Sequence, residues 1–138
     1  MAKNTQKTNL AVNAEGDALA TLLNNGFIDI LDGTQPASGD TAISTQVLLG
    51  SLQFGNPAFG STVAGVATAN AITSGTAVAT STATWCRLYK SDHTTAVFDG
   101  SVGTSASNLV LNSVAISSGA TISCVAFTFT LAKSTAGS

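Results

Sequence analysis

Hydrophobic positions in this chain alternate with polar ones far more often than they recur at helical spacing. The clearest case is residues 121–131, where Val125, Phe127, Phe129 and Leu131 alternate with Ala126, Thr128 and Thr130. That period of two, with one apolar face and one threonine face, predicts a strand. Further apolar runs at residues 27–31, 46–54, 78–89, 95–98 and 109–111 close at Gly, Asn, Asp, Ser or Lys. Such punctuation marks strands. One stretch differs. Asp17 precedes the run from Ala18 to Leu23, and Asn24, Asn25 and Gly26 follow it. An Asp cap and an Asn/Gly stop predict a helix of two turns there. Residues 60–81, full of Ala, Thr, Ser and Gly, read as extended chain lying on the surface.

These elements predict an all-β fold: an antiparallel jelly-roll-like β-sandwich with one short N-terminal helix. No alternation of strand and helix follows residue 26, which disfavours a parallel α/β sheet. The expected organisation is a flexible arm at residues 1–16, a single domain at 17–132 and a flexible tail at 133–138.

Composition narrows the function. Charged residues make up 9% of the 138, against about 25% in an average domain. Serine, threonine, glycine and asparagine take their place. Five Lys plus Arg and a net charge of −2 cannot build the basic stripe of a nucleic-acid binder. No run of about 18 apolar residues offers a membrane-spanning helix. The lysines at 3 and 7 have no apolar segment behind them, so no secretory signal is expected. A surface this neutral suits a protein packed into an assembly better than a free monomer.

Catalytic chemistry has a small cast here. The single histidine, His93, falls in the turn-like segment from Lys90 to Thr95 and reads as a solvated turn residue. Asp92 beside it invites a Ser-His-Asp reading, but neighbours on a tight turn point apart, and a triad needs a buried orienting carboxylate. Asp32, Asp40, Asp92 and Asp99 each sit at a turn signal, where carboxylates bond nearby backbone. Neither Gly100–Gly103 nor Gly60–Gly65 opens a helix, so neither cradles a phosphate. Cys86 and Cys124 lie 38 positions apart without a CxxC motif and read as free thiols. No catalytic residue, metal ligand or cofactor is expected.

Four segments together carry a family resemblance. They are residues 27–37 (FIDILDGTQPA), 48–59 (LLGSLQFGNPAF), 82–88 (TATWCRL) and 97–103 (VFDGSVG). In this order and spacing the chain resembles small virion proteins encoded among the head genes of tailed bacteriophages. The resemblance spans about residues 17–131 and implies a jelly-roll cement or decoration protein. It would bind the capsid exterior after synthesis in the host bacterial cytoplasm. The implied partners are the major capsid protein and further copies of this chain, with neither nucleic acid nor membrane. His93 departs from the pattern where glycine is usual, and Cys86 where an aromatic residue is usual. The alternative is a carbohydrate- or receptor-binding module on a tail or fibre, for which the chain offers few aromatic platforms.

Five residues are candidate protein contacts. Lys3 and Lys7 lie on the arm, where acidic patches of a shell would attract them. On the strand at 82–90, alternation separates Trp85, Arg87 and Tyr89 from Cys86 and Leu88. Arg87 has no obvious partner for burial, so the Trp–Arg–Tyr row is expected to face outward as an interface.

Overall fold

The computed structural model describes residues 4–136. In chain order, β1 (Asn4–Gln6) leads into helix α1 (Asn9–Leu22), then β2 (Phe27–Leu31) and β3 (Leu48–Phe54). Four short strands follow: β4 (Val66–Thr68), β5 (Ile72–Thr73), β6 (Gly75–Thr76) and β7 (Ser81–Thr82). Next come β8 (Trp85–Tyr89), β9 (Ala96–Gly103), β10 (Leu109–Leu111) and β11 (Ala115–Ile116). The last are β12 (Thr121–Ile122), β13 (Cys124–Thr130) and β14 (Ser134–Ala136). The protein is mostly β, with one helix and a curled mixed sheet of eight strands.

The helix begins well before Asp17. Thr8 is the cap, with extended backbone and a side chain that accepts from Ala11 N–H. Val12, Gly16 and Ala20 recur every fourth position and form its buried face. Gly16 is required there, because a Cβ would lie 2.5 Å from Thr62 Oγ1. Asp17 caps nothing in its own helix; its carboxylate accepts from Thr62 N–H at 2.8 Å. The expected arm at 1–16 is therefore corrected: residues 9–16 are helical, and Asn4–Gln6 pair with Ser134–Ala136. The same pairing corrects the tail, since residues 134–136 are strand. Lys7 is held by Glu15 at 3.1 Å, and Lys3 lies outside the described residues.

The large sheet runs β4-β13-β10-β9-β8-β2-β3-β5. All its pairs are antiparallel except β9 with β10, which run parallel through Leu109↔Val102 and Val110↔Gly103. The purely antiparallel expectation is corrected accordingly. Curling follows from the phenylalanines. Strands β3 and β13 stand five places apart, about 24 Å in a flat sheet. Yet the Phe54 and Phe127 rings lie 5.8 Å apart. Phe59 fills the angle between them, 5.2 Å from Phe54 and 6.0 Å from Phe127. The two outermost strands, β4 and β5, are consecutive in sequence, so residues 66–73 border both edges of the sheet. The core enclosed by this curl includes Ile28, Ile30, Leu49, Leu52, Leu88 and Leu109. Alternation in β13 holds only for Phe127 and Phe129. A register shift opposite Val110 and Leu111 turns the strand's start aside, and Val125 is 65% exposed.

Asn108 joins the two halves where β10 begins. Its Oδ1 accepts from Ser101 N–H at 3.0 Å, its Nδ2 donates to Thr128 O at 3.1 Å, and its carbonyl accepts from Thr128 N–H. One side chain thus stands in for a rung of strand between β9 and β13. Asn108→Ala leaves Ser101 N–H and the Thr128 carbonyl short of partners and should lower stability by about 2 kcal/mol. Urea unfolding measures this, and an unchanged midpoint would reject the bridging role.

Candidate functional site

Most of the chain's ionisable groups outside the helix gather on and around β8. That strand is flanked by β2 and β9, and Asp29, Arg87 and Asp99 stand directly opposite one another. Arg87 Nε donates to Asp99 Oδ1 at 2.7 Å, and Nη2 donates to Oδ2 at 3.0 Å. This two-pronged geometry is the strong form of the ion pair. The guanidinium also sits 5.4 Å from the Trp85 ring centre, within cation–π range. The carboxylate raises the Arg87 pKa further.

The outward Trp–Arg–Tyr row is overturned. Trp85 is 0% and Arg87 4% exposed, while Tyr89 is half-buried. The segment at 32–47 folds back beside this face, where Gly39 comes close to the Phe98 and Asp99 backbone. Its ends are tied by Asp32 N–H to Val47 O at 3.2 Å and by Val47 N–H to Asp32 Oδ1 at 2.6 Å. Ser81 Oγ donates to the other Asp32 oxygen at 2.7 Å, and Trp85 Nε1 donates to the Asp32 carbonyl at 2.9 Å. The two hydrogen bonds, from Val47 N–H first and Ser81 second, hold the Asp32 carboxyl below its ordinary value.

His93 occupies the expected turn, with φ 56°, but its ring is not free in solvent. It stacks on Phe27 at 4.2 Å, and its Nε2 lies 2.7 Å from Asp29 Oδ1. Ser51 Oγ donates to the same oxygen at 2.6 Å. The Asp29 carboxylate stands between the serine and the histidine, so Ser51 is bonded to Asp29 and not to the His93 ring. Asp92 points elsewhere, accepting from Thr94 N–H, Thr95 N–H and Thr95 Oγ. Those bonds lower its pKa to about 2. Burial pushes the Tyr89 hydroxyl up, and the Asp29 charge adds to the effect. Burial also drives both free thiols upward, Cys86 far beyond the ordinary range, which leaves them poor nucleophiles. Among the described residues, no group of three or more His, Cys, Asp or Glu side chains is placed to hold a metal ion.

Trp85, Arg87 and Tyr89 are thus brought together, while Lys7 stands apart, just before the helix. Sequence reasoning missed Asp29, Asp99 and Phe27. A signal existed: Asp29 lies between two isoleucines and Arg87 between Cys86 and Leu88, charges of opposite sign inside apolar strands. Asp99-Gly100 carries a turn signal yet lies within β9, where a Cβ on Gly100 would stand 3.2 Å from Asn108 Cβ. Asp32-Gly33 does turn, with Gly33 at φ +76°.

Arg87→Ala strands a buried carboxylate and should cost about 3–5 kcal/mol of stability. Replacing both partners, Arg87→Leu with Asp99→Leu, should cost much less. Denaturant midpoints of the three proteins check this, and equal losses would argue against a buried pair. For Asp32, a lowered pKa in the fold means stabilisation that is complete above the ordinary 3.8 and lost as pH falls through the lowered value. Protection of the Val47 amide against exchange should therefore drop in acid, below about pH 3.8. Asp32→Asn should remove that step; its persistence would assign the step to another group.

No family model matches the chain, and neither the curated proteins nor the solved structures contain a match to it.

Proposed function

We propose that the protein is a virion structural component that binds the outside of a phage capsid and cements neighbouring subunits. In this reading the curled sheet is a jelly-roll-like sandwich. The observation that supports it most is a pair of exposed aliphatic side chains, Leu10 near the start of α1 and Val63 in a turn fastened to that helix. Leu10, Asn13 and Asp17 share one helix face. Asn13 Oδ1 accepts from Gly65 N–H at 2.9 Å, and Asp17 accepts from Thr62 N–H. These bonds fasten the turn at 62–65 to that face. Leu10 is 82% and Val63 69% exposed there, without a role in the core. Exposed aliphatic groups can pack against another protein with little desolvation cost. Many such contacts on a shell sum through multivalency.

The tail-fibre alternative loses support from the burial of Trp85, which leaves no exposed indole for stacking on a sugar. Lys3, outside the described residues, and Lys7, just before the helix cap, remain candidate contacts in the cementing reading.

Val63→Asp with Leu10→Asp should leave the melting temperature within about 2 °C, as expected of surface changes. Attachment to particles should fall at least tenfold by co-sedimentation. Hundreds of copies per purified particle, and loss of DNA at lower temperature without the protein, are the accompanying expectations. Undiminished attachment would move the interface elsewhere, and a handful of copies per particle would reject the shell reading.

A further inference from the structure

The corner between α1 and β2 turns on Asn25-Gly26, the one Asn–Gly pair in the sequence. The fold dictates both positions. Asn25 holds φ 57°, a left-handed conformation that asparagine adopts more readily than most side chains. A Cβ on Gly26 would collide with the Tyr89 carbonyl and stand 2.8 Å from Leu23 O, so glycine is obligatory. The same pair is chemically the most prone to spontaneous loss of side-chain ammonia, because glycine leaves the attacking nitrogen unhindered.

Four hydrogen bonds hold the corner shut. Asn25 N–H donates to Gly55 O at 3.0 Å, and Gly26 N–H donates to Leu23 O at 2.7 Å. Gly26 O accepts from Phe54 N–H at 2.9 Å, and Asn25 O accepts from Gln53 Nε2 at 3.3 Å. Ring closure needs two things that these bonds deny. The Gly26 nitrogen must lose its proton, yet it is buried and already donating. It must also reach Asn25 Cγ in an attacking geometry, by rotation about the Asn25 Cα–C bond. That rotation breaks the bonds at Asn25 O and Gly26 N–H together. The Asn25 side chain itself is exposed, so the leaving group is open to water.

We propose that Asn25 is a modification site gated by the fold, which stays asparagine while the corner is closed and converts to aspartate or isoaspartate when it opens. In the open state the Gly26 nitrogen gives its proton to water and bonds to Asn25 Cγ. The Cγ–Nδ2 bond breaks, and Nδ2 takes up a proton and leaves as ammonia. Water then opens the succinimide ring. Attack at Cγ restores the main chain as aspartate. Attack at the main-chain carbonyl carbon leaves the chain running through Cβ and Cγ as isoaspartate. Aspartate fits the left-handed corner again. Isoaspartate adds one carbon to a main chain fixed on both sides, so Gly26 cannot reach Leu23 O and Phe54 N–H at once. Local opening of this corner therefore sets the chemical lifetime of the protein. The inference does not depend on the cementing reading.

The test follows the full chain at neutral pH, in buffer and in rising urea, by peptide mapping that separates aspartate from isoaspartate at Asn25. Conversion in buffer should be at least tenfold slower than in the unfolded chain. With urea it should quicken in step with hydrogen exchange of the Gly26 amide, since one opening exposes both. After dilution from urea, the refolded fraction should hold the aspartate product and lack the isoaspartate one. Asn25→Gly keeps the left-handed backbone without the reactive amide, and should refold fully after the same incubation. Equal rates in buffer and in the unfolded chain would overturn the proposal. So would conversion that rises without Gly26 exchange, isoaspartate chains that refold, or an equal loss of refolding in Asn25→Gly.

Discussion

A guanidinium withdrawn from water at the centre of the sheet is the constraint around which this molecule is arranged. Arg87 lies on a strand whose other face, Cys86 and Leu88, is already committed to the core. Burial on both faces is tolerable only when the charge is matched by good geometry. Asp99 supplies that match from the register position directly opposite. The register of β8 against β9 is therefore tied to the charge, since a one-residue slip would place Arg87 opposite Gly100 or Phe98. The loop at 32–47 is the second half of the arrangement. Its base is closed by Asp32, and the same residue's carbonyl receives the Trp85 indole. Charge pairing, register and loop closure reinforce one another.

That arrangement explains which parts of the structure were legible in the sequence. Strands at 27–31, 48–54, 85–89 and 109–111 were visible because apolar runs ended at turn residues. The outward direction of Arg87 was misjudged because alternation assigns faces but does not say whether a second layer covers one of them. Nothing local in residues 32–47, a polar stretch, announces a loop that folds back beside a sheet. The helix start was misplaced for a related reason. Asp17 resembles a cap, but its carboxylate is used 45 positions away by Thr62. The four-residue spacing of Val12, Gly16 and Ala20 is a weak signal when two of the three residues are small. The site residues Asp29 and Asp99 gain meaning only from pairing across strands, which no local pattern carries.

The curl places its own demand on composition. A large share of Gly, Ser, Ala and Thr suggested a neutral surface built for assembly, yet several of these residues serve close approach inside the fold. A Cβ on Gly75 would collide with the Ser51 carbonyl, and one on Gly50 would stand 2.6 Å from Ile122 Cδ1. The short pair β6 with β12 can press onto β3 only because these positions lack side chains. The phenylalanines concentrate where the two ends of the sheet meet, which is where the few large side chains do most to exclude water.

A sheet closed this way cannot keep every lane complete. Curling brings β3 over β13, and the segment at 66–73 must serve both edges within eight residues. Strand β10 has only three residues to span β9 and β13, whose paired lengths are eight and seven. The mismatch in length leaves the first half of β9 without a neighbour on one side. Asn108 repairs one rung by using its amide as a surrogate backbone. The rung beyond it has no such substitute, because residues 104–107 turn away in a loop with Ala106 at φ 49°. The open rung at Asp99 and Thr130 is thus a geometric consequence of a short strand between two long ones.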